Sequence, residues 1–178
     1  MTRALVIDFG GVLTTSLGDA FRAFCRREGA DYEKVRAALK QAYGDLDADS
    51  MVARFEKGLV EKEEFETHLA EVLSQDLDEP LDPTDLIARM LEDVRIDQDM
   101  VAAIQAARAA GVRTALLSNS WGVDYYPREL LEELFEEVVI SGEVGMRKPD
   151  ADAYLLTAER LGLRPEQCVF VDDHDDNV

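Results

Sequence analysis

Ala4-Leu5-Val6-Ile7-Asp8-Phe9-Gly10-Gly11-Val12-Leu13-Thr14 is the stretch on which the reading of this chain turns. Four apolar residues without alternation predict a strand buried on both faces, as in a parallel sheet covered by helices. Asp8 stands at the carboxyl end of that strand, and Gly10-Gly11 lets the backbone turn sharply after it. Because Asp8 interrupts the run so early, the stretch is neither a secretory apolar core nor a membrane span.

Downstream, residues 16–93 contain no convincing strand. Phe21, Phe24 and Cys25, then Val35, Leu39 and Tyr43, then Phe65, Leu69 and Val72 repeat at helical spacing. Beyond them strands and helices alternate. Asp99–Ala110 is a helix closed by Gly111, and Val112–Leu117 a buried strand. Pro127–Phe135 is helical, Val138–Ile140 a strand, Ala151–Leu161 a helix before Gly162, and Cys168–Val171 a fourth strand. Strands separated by helices imply right-handed crossovers and a parallel sheet. The expected fold is therefore α/β: a Rossmann-like core from residues 1–15 and 94–178, with an all-helical insertion over 16–93.

The charge bounds the partners. Thirty-eight acidic against 19 basic side chains give a formal net charge of −19. Such a surface repels a phosphate backbone, so neither nucleic acid nor membrane is expected as a partner. An anionic substrate would need a local positive field from a metal, a lysine or backbone N–H groups. Two isolated cysteines, Cys25 and Cys168, fit neither a disulfide framework nor a Cys-based zinc site. Both read as buried thiols, and the protein as soluble and cytoplasmic.

Chemically distinctive groups fall where strands end: Asp8, then Ser118-Asn119, Lys148 on a later loop, and Asp172-Asp173. In an open parallel sheet the carboxyl ends of the strands share one edge, where ligands bind. A nucleophilic carboxylate needs a backbone that can approach a phosphoryl group and a cation to offset the charge, and Asp8 beside Gly10 and Gly11 suits the first need. Adjacent carboxylates held near Asp8 repel unless a metal lies between them. Three carboxylates and a backbone carbonyl make an oxygen-only site suited to Mg²⁺. Ser118 and Asn119 offer hydroxyl and amide donors to an anionic oxygen. Lys148 precedes Pro149, which pre-forms the next helix start, and reaches the crevice to neutralise substrate and carboxylates together.

These residues resemble the motifs of haloacid dehalogenase-like hydrolases with a helical cap inserted after the first strand. The resemblance runs through essentially the whole chain: Asp8–Thr14, Ser118, Lys148, Asp172-Asp173 with Asn177, and the cap stretch Phe55-Glu56-Lys57-Gly58. Ser118-Asn119-Ser120-Trp121 looks similar to the phosphatase domain attached to some epoxide hydrolases. The resemblance implies attack by Asp8 on a small phosphorylated substrate and formation of an aspartyl intermediate. Gly10, Gly11, Ser118, Asn119 and Lys148 would hold the phosphoryl group. Mg²⁺ would be bound by Asp8, the Gly10 carbonyl and Asp173, with Asp172 as an outer partner.

Two departures matter. Phosphatases of this family usually carry a second Asp two residues after the nucleophile, where this chain has Gly10. Such acid–base help is worth about 10²–10⁴-fold. A substitute acid, for which His174 is a candidate, or an easily expelled leaving group is then required. Dehalogenase or phosphonate-cleaving chemistry, and a binding protein without turnover, stand as alternatives. The sequence also ends at Asn177-Val178, directly after the acidic pair. The final strand and helix of the family pattern are expected to be absent, leaving the fourth strand partly uncovered. Tyr43, Arg54 and Phe55 are the candidate cap contacts to substrate.

Overall fold

A computed structural model describes residues 3–44 and 49–178, and the side chains of residues 43 and 44 lie outside that description. Tyr43 as a substrate contact therefore falls outside the described residues.

Four parallel strands form the sheet: β1 (Ala4–Ile7), β2 (Arg113–Ser118), β3 (Glu137–Ile140) and β4 (Cys168–Val171), in the spatial order β3-β2-β1-β4. Ile7 lies in register with Leu116 on one side and Val171 on the other, so β1 and β4 end level while β2 runs two residues further, to Ser118. The chain adds β2 and β3 to one side of β1 and then crosses to place β4 on the other. The crevice between β1 and β4 is thus the topological switch point, where the loops leaving the two strands diverge.

Helices cover both faces. Ile7, Leu116 and Ile140 point to the side of α6 (Gln98–Ala109) and α7 (Arg128–Leu134), packing on Ile104, Leu131 and Leu134. Their neighbours Val6, Leu117 and Val139 point the opposite way, toward α9 (Ala151–Arg160) and its Ala153. Two-sided burial explains the unbroken apolar runs. Between β3 and α9 runs a short turn of helix, α8 (Ser141–Val144). Helix α9 begins at Ala151 after Asp150, so Pro149 lies outside the helix, preceded by a cis peptide bond.

The edge position of β4 changes its exposure. Val169 and Val171 are 44% and 36% exposed. Cys168 is only half-buried, unlike the fully covered Cys25, which corrects the expectation of two buried thiols. An edge strand has a neighbour on one side only, and nothing among the described residues covers this outer face.

Among the described residues, 16–44 and 49–93 carry five helices: α1 (Leu17–Glu28), α2 (Tyr32–Gly44), α3 (Met51–Glu56), α4 (Lys62–Ser74) and α5 (Leu86–Met90). Ser16 caps α1 by accepting from Asp19 N, and Ser50 caps α3 by accepting from Ala53 N. Phe24, Val35, Phe65, Leu69 and Met90 build a separate apolar core there. The buried end of α4 is Leu73 rather than Val72, one step around the helix from the position the repeat predicts. No helix among the described residues is long and apolar enough to cross a membrane.

Candidate active site

Asp8 follows β1 and begins an irregular turn over Phe9–Leu13 in which Gly10 stays extended and Gly11 takes φ 73°. That left-handed conformation favours glycine. A Cβ on Gly11 would also come within 2.1 Å of Asp173 Oδ2. The glycine therefore lets the acidic loop after β4 press against the turn after β1.

Across the switch point stands Lys148, buried to 1% exposure. Its Nζ donates to Asp8 Oδ1 at 2.6 Å and to Asp172 Oδ2 at 2.5 Å, and lies 5.2 Å from the centre of the Phe170 ring. One cation thus bridges two carboxylates from two strands. Asp172 is further fixed by the His174 N–H at 2.8 Å and by Asn177 Nδ2 at 3.1 Å, both donating to its Oδ1. Carboxylate oxygens of Asp8, Asp172 and Asp173 lie within 4.8 Å of one another. This hard donor set, with the space Gly11 leaves beside Asp173, fits a small divalent cation.

Burial raises the carboxyl of Asp8 from 3.8 to about 6, against the opposing pull of Lys148. Asp173 is also held above the ordinary range, by burial first and by neighbouring Asp172 second. Both shifts measure how poorly the protein alone solvates this cluster of negative charge.

Ser118 ends β2 and is buried, its Oγ 2.9 Å from Tyr126 Oη. Asn119 follows Ser118 at the wall of a cavity that both residues line. Its Oδ1 accepts from Lys148 N at 2.8 Å, while its Nδ2 donates to Lys148 O at 3.0 Å and Glu56 Oε2 at 3.2 Å. The side chain is spent on tying two loops together, because both faces of its amide find backbone partners.

Above these groups lies a cavity of about 530 Å³, reached also by Phe21, Leu39, Trp121 and Tyr125. Phe21 of α1 stacks on Trp121 with ring centres 5.6 Å apart, joining the helical segment to the loop after β2. Arg54 is exposed and Phe55 stacks on Phe65 at 3.9 Å inside the helical core, so neither lines the cavity as expected. They lie on other faces of α3; the residue that turns inward is Glu56. Its Oε2 accepts from Arg147 Nε at 2.8 Å, and its backbone carbonyl accepts from Ser141 Oγ. Burial raises its carboxyl from 4.5 to about 7, against the opposing influence of Arg147 and Lys148. Sequence reasoning missed Glu56, Arg147 and Tyr126. The available signal was an acid on the apolar face of α3, spaced as a partner to Val52 and Ala53.

A family profile for haloacid dehalogenase-like hydrolases matches residues 2–178. The chain belongs to that family. It is 30% identical over 188 residues to bifunctional epoxide hydrolase 2 of Sus scrofa, covering 96% of this chain and 33% of the relative. Over 78 residues it is 30% identical to the glyceraldehyde 3-phosphate phosphatase of Methanopyrus kandleri, covering 42% of this chain and 34% of that protein. The chain thus spans about a third of each relative's length. A family enzyme from Bacteroides thetaiotaomicron, solved with magnesium and inorganic phosphate, superposes with a TM-score of 0.61 at 20% identity, over 99% of this chain and 87% of that one.

Proposed function

We propose that the chain is a Mg²⁺-dependent phosphatase acting on a small phosphorylated metabolite through an aspartyl-phosphate at Asp8. The observation that carries this reading is the convergence of Asp8, Asp172 and Asp173 around one point beside a buried lysine. The matching stretch of the archaeal phosphatase supports a phosphate ester as substrate.

Phosphoryl transfer needs mainly positioning and charge neutralisation. Asp8, ionised above about pH 6, attacks phosphorus as the ester oxygen departs on the opposite side. Lys148 and the Ser118 hydroxyl hold the phosphoryl oxygens and draw off charge. Water then cleaves the aspartyl-phosphate and regenerates Asp8. Asp8, Asp173 and the Gly10 carbonyl would hold Mg²⁺, with Asp172 turned toward Lys148 and Asn177. A bound Mg²⁺ supplies neutralisation of charge on the nucleophile and the phosphate. The helical segment acts as a cap that excludes water and selects the organic part of the substrate.

A carbon–halogen substrate is the second reading, favoured by Gly10, because a departing halide needs no proton. Phosphate release across a panel of phosphometabolites, with Mg²⁺ and with chelator, and halide release from 2-haloacids test the choice. Wild type is expected to be active only with Mg²⁺, and Asp8→Asn to be inactive. Activity surviving that substitution removes the proposed nucleophile, equal activity in chelator removes the proposed metal, and halide release without phosphate release selects the second reading.

A further inference from the structure

Phosphate-ester cleavage at this site leaves one proton unaccounted for. When the P–O bond breaks, an alkoxide leaves with the bonding electron pair and must be protonated. Position 10 has no side chain, and a Cβ there would meet Leu17 Cδ1 at 2.9 Å. The space a carboxyl would take is filled by an apolar group. His174, the candidate named from the sequence, is 61% exposed and lies 3.7 Å from Asp176 at the rim. Tyr126 is committed to Ser118, and burial pushes its phenol up, making it a poor acid.

Outside the metal-type cluster, the cavity among the described residues is lined by two further carboxyls, Glu56 and Asp176. Asp176 is 73% exposed. Glu56 is 3% exposed and comes from the helical segment, whereas Asp8 comes from the sheet. Both named donors, Asn119 Nδ2 and Arg147 Nε, reach the same oxygen, Oε2. With both donors on Oε2, a proton on this carboxyl is carried by Oε1. The charged groups acting on Glu56 are Arg147 and Lys148, which favour its ionised form, and Asp8, which opposes it; burial outweighs them and holds it at about 7. A carboxyl poised near neutrality can give a proton and take it back.

We propose that Glu56 is the general acid and base of this active site, taking the part that residue 10 cannot. The proposal rests on the phosphatase reading. In the first step Asp8 forms a bond to phosphorus, the ester P–O bond breaks, and the Glu56 proton passes to the leaving oxygen. In the second, the Glu56 carboxylate accepts a proton from the attacking water as the new P–O bond forms. The bond to Asp8 then breaks, releasing inorganic phosphate and restoring both carboxyl groups.

Leaving-group dependence tests it. Turnover of p-nitrophenyl phosphate, whose leaving group needs no proton, is compared with turnover of alkyl monophosphates in wild type and Glu56→Gln, with Mg²⁺. The expected result is a kcat loss of about 10²-fold or more on alkyl esters, and of less than about tenfold on p-nitrophenyl phosphate. Equal losses on both substrates overturn the proposal and leave Glu56 a positioning residue that holds the Asn119 and Arg147 loops; no loss overturns it outright. If Glu56→Gln does not fold, wild-type pH profiles decide. Alkyl turnover should fall above about pH 7 while p-nitrophenyl turnover persists, and parallel profiles overturn the proposal. Wild type inactive on every phosphate ester is the distinct outcome that removes the phosphatase reading, and Glu56 as its acid with it.

Discussion

Replacing Lys148 with Met keeps most of the apolar stem and removes the cation that bridges Asp8 and Asp172 at 2.6 and 2.5 Å. All three side chains are at most 10% exposed, so water does little to screen the two carboxylates left behind. Breaking a buried ion pair from one side costs about 3–5 kcal/mol. For a domain of this size, that is a fall in melting temperature of about 6–20 °C. The loss depends on pH, with a sign fixed by Asp8. Its carboxyl holds a proton up to about pH 6, against 3.8 ordinarily. The folded state therefore binds a proton the unfolded state has released, and stability falls as pH rises through that window. Removing Lys148 takes away the influence that lowers this carboxyl, so the window widens upward and the total fall grows. Urea unfolding followed by circular dichroism, without divalent cation, should show a larger deficit for Lys148→Met at pH 8 than at pH 5. A variant as stable as wild type at pH 8, or one hurt more at pH 5, refutes the reasoning.

Gly11→Ala places a methyl group 2.1 Å from Asp173 Oδ2 at a φ of 73°. The stabilisation that Mg²⁺ gives to the melting temperature, about 2.7 kcal/mol at a hundredfold excess over Kd, should largely disappear. Gly58→Ala sets a Cβ 2.5 Å from the Gly142 carbonyl oxygen, which is backbone and cannot swing aside. Differential scanning calorimetry should show a loss of about 1–3 kcal/mol, and kcat/KM should fall as the helical segment loses its seat beside α8.

The parallel sheet was legible because two-sided burial leaves unbroken apolar runs in β1 and β2, and Cys168–Val171 carries such a run although Val169 and Val171 are exposed at the edge. The acidic groups were legible because they follow those runs directly. Lys148 was read correctly as reaching the crevice, but its complete burial follows from Asp8 and Asp172, which lie 140 and 24 residues away. Phe55 and Glu56 show the limit within one helix. Both are buried, yet one faces the helical core and the other the cavity, a difference in rotation about α3 that adjacent letters do not carry.

Local pattern by itself determined the order of strands and helices, the helical insertion and the polar groups at the strand ends, because periodicity and turn residues act over a few positions. The tertiary structure alone decided that β4 crosses to the far side of β1, that Asn119 ties the Lys148 backbone to Glu56, and that Glu56 turns into the cavity. Those outcomes depend on which distant surfaces meet, and the free energy of a buried charge is set by the partners it finds there.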